Sequence, residues 1–284
     1  MPATPLLRRE QIKLQVALIT PLIYIKGYSA PETKTAAERA RLLIEQAERL
    51  GEPPDDPLLL FDVLYGFWYA NLGALNGDVL CDLAAQYLAL AEKQRATIPL
   101  MVGHRLVGSS SLHTGDFVDS RAHYDQALSL YDADKHRSWT TRFGQDILVS
   151  ILSFRSITLW MLGYPEAALT DVDQVVKHAR EMDHAASLIY ALAVTSVPRL
   201  LIGNYASVNA QTDEAIAMAE EIAEVFWKDG SDSARLRVGP NRQGLGGSSP
   251  DHFRHRCIPI NGSNSLVAER AIISGEGLCG PWPV

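Results

Sequence analysis

Cysteine is scarce in this 284-residue chain: Cys81, Cys257 and Cys279 are odd in number, widely spaced and free of any C-x-x-C pair. That argues against a disulfide framework and fits a reducing, cytoplasmic setting. An excess of positive charge is also lacking. The 26 Lys and Arg stand against 33 Asp and Glu, for a formal net charge of −7 and a pI near 5.6. Binding to nucleic-acid phosphates needs a basic face, so nucleic acid is not an expected partner. Nor is there a long apolar run. Residues 17–25 and 58–75 are the most apolar stretches, and both are short or broken by polar residues. A membrane span needs ~20 continuous apolar residues, so both read as buried helices and no membrane partner is expected. Residues 1–13 carry basic side chains with no uninterrupted apolar stretch after them, which argues against a secretory signal. What is present, 47% hydrophobic and 21% charged residues, is a globular mixture.

Four glycine-centred turns recur, at Gly77, Gly115, Gly163 and Gly203, spaced by 38, 48 and 40 residues. Seven positions before them stand Ala70, Gly108, Ser156 and Ser196, and twelve positions after them Ala89, Ala127, Val175 and Ala215. The next position is always aliphatic: Leu90, Leu128, Val176 and Ile216. A glycine ends a helix well because a left-handed backbone costs it nothing. Asp78, Asp116 or Asn204 then caps the following helix by accepting from a free backbone N–H, and Pro165 suits a first helical turn. The small residues let two antiparallel helices approach closely. Three- and four-residue steps of apolar side chains predict helices over residues 35–50, 116–131, 165–182 and 204–225. Strand alternation is nowhere convincing, and Gly27 with Ala40 marks a fifth, degenerate turn. The expected fold is all-α: an array of antiparallel helix pairs over residues 1–228.

Gly115-Asp116-Phe117 followed by Tyr124 and Ala127-Leu128 resembles the tetratricopeptide repeat, which has a small residue in its first helix, a Gly-Asp-Tyr-like turn and a late Ala-Leu. The units here exceed that family's usual length. The resemblance implies a tetratricopeptide-like α-solenoid. A narrower resemblance rests on five segments. They are Leu7-Arg8-Arg9-Glu10-Gln11-Ile12-Lys13-Leu14-Gln15, Leu58-Leu59-Leu60-Phe61-Asp62-Val63-Leu64-Tyr65-Gly66-Phe67-Trp68, Met101-Val102-Gly103-His104-Arg105-Leu106-Val107-Gly108, Thr141-Arg142-Phe143-Gly144-Gln145-Asp146 and Leu159-Trp160-Met161-Leu162-Gly163-Tyr164-Pro165. Over roughly residues 6–228 the chain is similar to the C-terminal helical region of bacterial proteins that join a class III adenylate/guanylate cyclase, a P-loop ATPase and such an array. Their catalytic parts do not map here: there is no G-x-x-x-x-G-K-[ST] loop and no aspartate pair of the cyclase type. The resemblance implies a non-catalytic fragment that contacts a protein partner, or the cyclase and ATPase domains of a parent protein, with no cofactor.

Beyond residue 228 the composition changes. Residues 229–284 hold nine glycines, five prolines, arginine without lysine, and two of the three cysteines. The tail reads as low-order, either naturally disordered or an out-of-frame translation of further repeat sequence. A solenoid lacking a polar cap at that end is expected to self-associate.

Several clusters invite chemistry. His252, His255 and Cys257 lack a further ligand for a metal, and no metal site is expected. Gly244-Leu245-Gly246-Gly247 lacks the strand, helix and lysine of a phosphate loop. Gly108-Ser109-Ser110-Ser111 beside His104 and His113 does not form a nucleophile elbow and reads as helix packing, so no catalytic residue is expected. His178 and His184 flank the end of one helix, whose C-terminus Lys177, His178 and Arg180 complement. Glu38, Glu45 and Glu48 with Arg39, Arg41 and Arg49 form a solvated face. The aromatic cluster Phe61, Tyr65, Phe67, Trp68 and Tyr69 fills the core, or else Tyr65, Trp68 and Tyr69 anchor a partner in a concave groove. The function expected is a protein-interaction or regulatory module. The alternative is the effector-binding region of a bacterial transcriptional activator.

Overall fold

The computed structural model describes residues 4–26, 30–52, 56, 58–72, 76–133 and 144–221, and these are all-α, with no strand among them. The tail, Gly27, the paired histidines at 252 and 255, and the glycines at 244–247 lie outside the described residues. The helices are α1 (Pro5–Ala17), α2 (Ile19–Lys26), α3 (Pro31–Arg49), α4 (Leu59–Leu72), α5 (Gly77–Gln94), α6 (Thr97–Thr114), α7 (Phe117–Ser129), α8 (Ile147–Met161), α9 (Pro165–Glu181), α10 (Ala185–Leu201) and α11 (Tyr205–Glu221). No described helix is long and apolar enough to cross a membrane.

From α3 onward each helix packs against the one before and the one after it, and α8 also packs against α6 and α10. The even-numbered helices α4, α6, α8 and α10 are therefore the more enclosed. Their buried faces run almost all round, as in α8, where residues from Ile147 to Leu159 are buried except Arg155. The odd-numbered helices keep one wet face. The wet side of α3 carries the Arg41–Glu45 pair at 2.8 Å, and its dry side is Ala36, Ala37, Ala40, Ile44 and Ala47.

The turns show why glycine recurs. After α6, Gly115 takes φ +90° and the next amide, of Asp116, donates back to Ser111 O at 2.8 Å. Gly163 (φ +84°) and Gly203 (φ +78°) repeat this, with Tyr164 N to Leu159 O at 2.9 Å and Asn204 N to Arg199 O at 3.0 Å. These bonds satisfy the last free carbonyls of the helix. Asp116 and Asn204 cap the helices that follow, accepting from Asp119 N at 3.1 Å and Ser207 N at 3.3 Å. Gly51, which the spacing did not single out, makes the same turn after α3 at φ +71°.

Gly77 departs from this pattern. It is the first residue of α5, with no left-handed φ, and the cap is Asn76, which accepts from Val79 N, rather than Asp78. The glycine stands one residue after the cap instead of one before it, so the sequence register of this unit is off by two. Ala89 is accordingly exposed and Leu90 only half-buried. Counted from the caps, the residue matching the buried Ala127, Val175 and Ala215 is Tyr87. Trp68, not Ala70, matches Gly108, Ser156 and Ser196, although Ala70 is itself buried. A large ring in one unit thus fills the space that small residues leave in the others.

Gly108 shows what small residues allow. A Cβ there would stand 3.2 Å from Ser120 O and 3.3 Å from the Tyr124 ring. The approach lets the Ser120 hydroxyl donate to Gly108 O at 2.8 Å and meet Thr158 Oγ1 at 2.9 Å, tying α6, α7 and α8 together.

Candidate functional site

Helix α6 carries a single arginine among mostly buried residues. Arg105 follows Met101 and Val102, precedes Leu106, and its side chain is drawn inward until only 3% of the residue is exposed. Burying a guanidinium costs several kcal/mol unless its hydrogens and charge are met. Three helices contribute to that. Nε donates to Ser150 Oγ of α8 at 2.7 Å, and Nη2 donates to Tyr69 OH of α4 at 2.8 Å and Tyr190 OH of α10 at 3.5 Å. The guanidinium carbon lies 5.2 Å from the Trp68 ring centroid and 5.4 Å from that of Tyr69. Gln145, just ahead of α8, donates to the same Tyr69 oxygen at 3.0 Å.

No carboxylate is among the hydrogen-bond partners of Arg105, and its Nη1 has no hydrogen-bond partner at all. Desolvation works against the charge. The raising contributions come from Tyr69, Tyr190, Tyr65 and Tyr124, and a phenol attracts the guanidinium as an anion only once it is ionised. Tyr190 stays a neutral phenol: burial, reinforced by Tyr69 and opposed by Arg105, pushes it up to about 12.

The partner-anchor reading of Tyr65, Trp68 and Tyr69 is corrected here, because all three are buried. Trp68 points its Nε1 at Ser110 Oγ, 2.9 Å away, and Tyr65 bonds Tyr69 across one helical turn at 3.4 Å. Their rings form the floor of the arginine cage rather than a docking surface. Sequence reasoning missed Arg105, Gln145, Ser150 and Tyr190 as site residues. The available signal was a lone arginine inside an apolar helical run. Three of the segments quoted for the family resemblance meet here, through Tyr65 and Trp68, Arg105, and Gln145.

The Gly108–Ser111 stretch is packing. Ser109 meets Tyr124 OH at 2.8 Å, Ser110 donates to Leu80 O at 3.1 Å, and Ser111 donates to Asp119 at 2.7 Å. His113 Nδ1 meets Ser109 O at 2.6 Å, and His104 Nδ1 lies 3.0 Å from His123 Nδ1 across the α6–α7 contact. His178 lies with Arg180 in the last turn of α9, and its Nε2 is 3.4 Å from the buried Asp146 Oδ1. His184 follows that helix and is the N-cap of α10, accepting from Ser187 N at 3.2 Å. No group of three metal-ligating side chains occurs among the described residues.

No protein-family profile matches the chain, and no curated protein is significantly similar to it.

Proposed function

We propose that this chain is a non-catalytic, cytoplasmic interaction or regulatory module built as a tetratricopeptide-like α-solenoid. One observation carries the reading. Counted from the caps Asn76, Asp116, Tyr164 and Asn204, helices α5, α7, α9 and α11 bury the same positions: Leu80, Ser120, Ala168 and Val208, then Ala84, Tyr124, Val172 and Thr212. Equivalent burial along four successive units is the pattern of stacked helix pairs, whose inner helices form a continuous recognition face. The Arg105 cage joins residues of α4, α6, α8 and α10, the helices that would line that face.

The partner is a protein, with the class III cyclase and P-loop ATPase domains of a parent signalling protein as the first candidates. Purified chain mixed with such domains is expected to form a complex on size-exclusion chromatography and to alter their turnover. Absence of both effects would count against this reading. Cyclase or ATPase turnover by the chain alone would overturn its non-catalytic character.

A further inference from the structure

The Arg105 cage is unbalanced in two independent respects. Its charge has no carboxylate partner: the guanidinium bonds Ser150, Tyr69 and Tyr190, and Tyr190 is neutral well beyond physiological pH. Its hydrogen bonding is incomplete: Nε and Nη2 are taken by Ser150, Tyr69 and Tyr190, and Nη1 has none. A buried donor left unmet and a buried cation left unpaired are both costly. A single bound oxyanion removes both defects.

The geometry narrows the anion. With Nε and Nη2 occupied, the side-on fork that grips phosphate or carboxylate bidentately is closed, and only the end of the guanidinium remains. The surroundings supply one positive charge and otherwise neutral hydroxyls, an amide and aromatic faces. A monoanion matches that charge, whereas a phosphate dianion would leave excess negative charge in an apolar shell.

We propose that Arg105 is the receptor for a small carboxylate ligand, held end-on at Nη1 within the cage of Tyr69, Trp68, Gln145, Ser150 and Tyr190. This rests on the reading of the array as a recognition module and names the ligand class of its inner face. Because Arg105 is closed off from solvent, the ligand enters with a local opening of the cage, and its occupancy is then coupled to how α4, α6, α8 and α10 pack together.

Acetate is the probe. The thermal midpoint of the full chain is followed against sodium acetate, with sodium chloride and sodium phosphate at matched ionic strength. A saturable rise with acetate beyond that with chloride is the expected result, since a ligand that binds only the native state stabilises it. Arg105→Met, of similar length and without charge, is expected to remove the rise or weaken acetate affinity at least tenfold. If Arg105→Met does not fold, the wild-type chain labelled with 15N-arginine carries the same test: the Arg105 guanidinium signals shift with acetate and not with chloride. No acetate effect on midpoint or spectrum overturns the proposal. So does a rise with phosphate but not acetate, or an acetate effect unchanged in Arg105→Met. The titration uses the chain alone, so its failure is separate from failure to bind cyclase or ATPase domains.

Discussion

The indole of Trp68 donates to the hydroxyl of Ser110 at 2.9 Å, joining α4 to α6 across 42 residues of sequence inside the core. The single O–H of Ser110 in turn has Leu106 O at 3.0 Å and Leu80 O at 3.1 Å as acceptors to share or choose between. One small, fully buried hydroxyl thus satisfies a large buried donor. Ser110→Ala is expected to destabilise the chain by about 1–3 kcal/mol, the cost of a buried donor left unmet. Trp68→Ala should cost more, about 3–5 kcal/mol, because a cavity opens as well. Urea denaturation measures both. Equal stability of Ser110→Ala and wild type would show that the indole is not confined to this partner.

The turn glycines differ in what they contribute. Gly115 and Gly163 hold φ of +90° and +84°, with open space where a Cβ would go. Alanine there is strained by backbone alone, at about 1–2 kcal/mol each. Gly77 has ordinary helical φ, and its nearest neighbour is the exposed Thr114 side chain. Gly77→Ala is expected to stay within about 0.5 kcal/mol of wild type. Comparable losses at all three sites in chemical denaturation would contradict the two-residue register difference.

Asp171 is buried against Arg155, which reaches both of its oxygens at 3.1 Å, while Asp125 shares that arginine at 2.8 Å. Burial raises its carboxyl to about 6, against the pull of Arg155. A carboxyl that binds its proton more tightly folded than unfolded makes the native state lose stability as pH rises through the interval from about 4 to about 6. Solvent screening keeps the effect below about 3 kcal/mol. Asp171→Asn removes it, so wild-type stability minus variant stability should fall across that interval. A flat difference would mean that Arg155 fully compensates the burial.

His104 behaves in the opposite sense. Burial, and then the nearby His123, lower its pKa from the ordinary 6.5, against a smaller opposing effect of Glu92. Asp119 Oδ1 lies 3.6 Å from the far nitrogen of His123. The 3.0 Å contact between the two Nδ1 atoms needs one of them neutral, as acceptor. A histidine held neutral in the fold binds fewer protons there than when unfolded. Its contribution is present above 6.5 and is lost as pH falls below that value toward the folded pKa. His104→Phe should flatten the fall in melting midpoint between neutral and mildly acid pH. An unchanged slope would place the acid sensitivity elsewhere.

Helix identity was legible because it depends on local chemistry. The three- and four-step apolar spacing placed α7, α9 and α11 to within a few residues. Gly115, Gly163 and Gly203 revealed their turns because a left-handed backbone and a following cap are demands met by adjacent residues. The register of the α4–α5 unit was not legible. A glycine on either side of a cap reads the same in sequence, and only packing showed that Trp68 and Tyr87 occupy places that small residues hold elsewhere. The role of the aromatic cluster was likewise undecided, since ring spacing does not say which way a helix faces. The cage itself was invisible, because its members come from four helices and lie up to 125 residues apart, from Tyr65 to Tyr190. The sequence by itself determined the helices and most of their turns among the described residues, both set by short-range periodicity and composition. The tertiary structure alone decided that Arg105 is buried with no carboxylate bonded to it, because the burial of a charge depends on which distant side chains close around it.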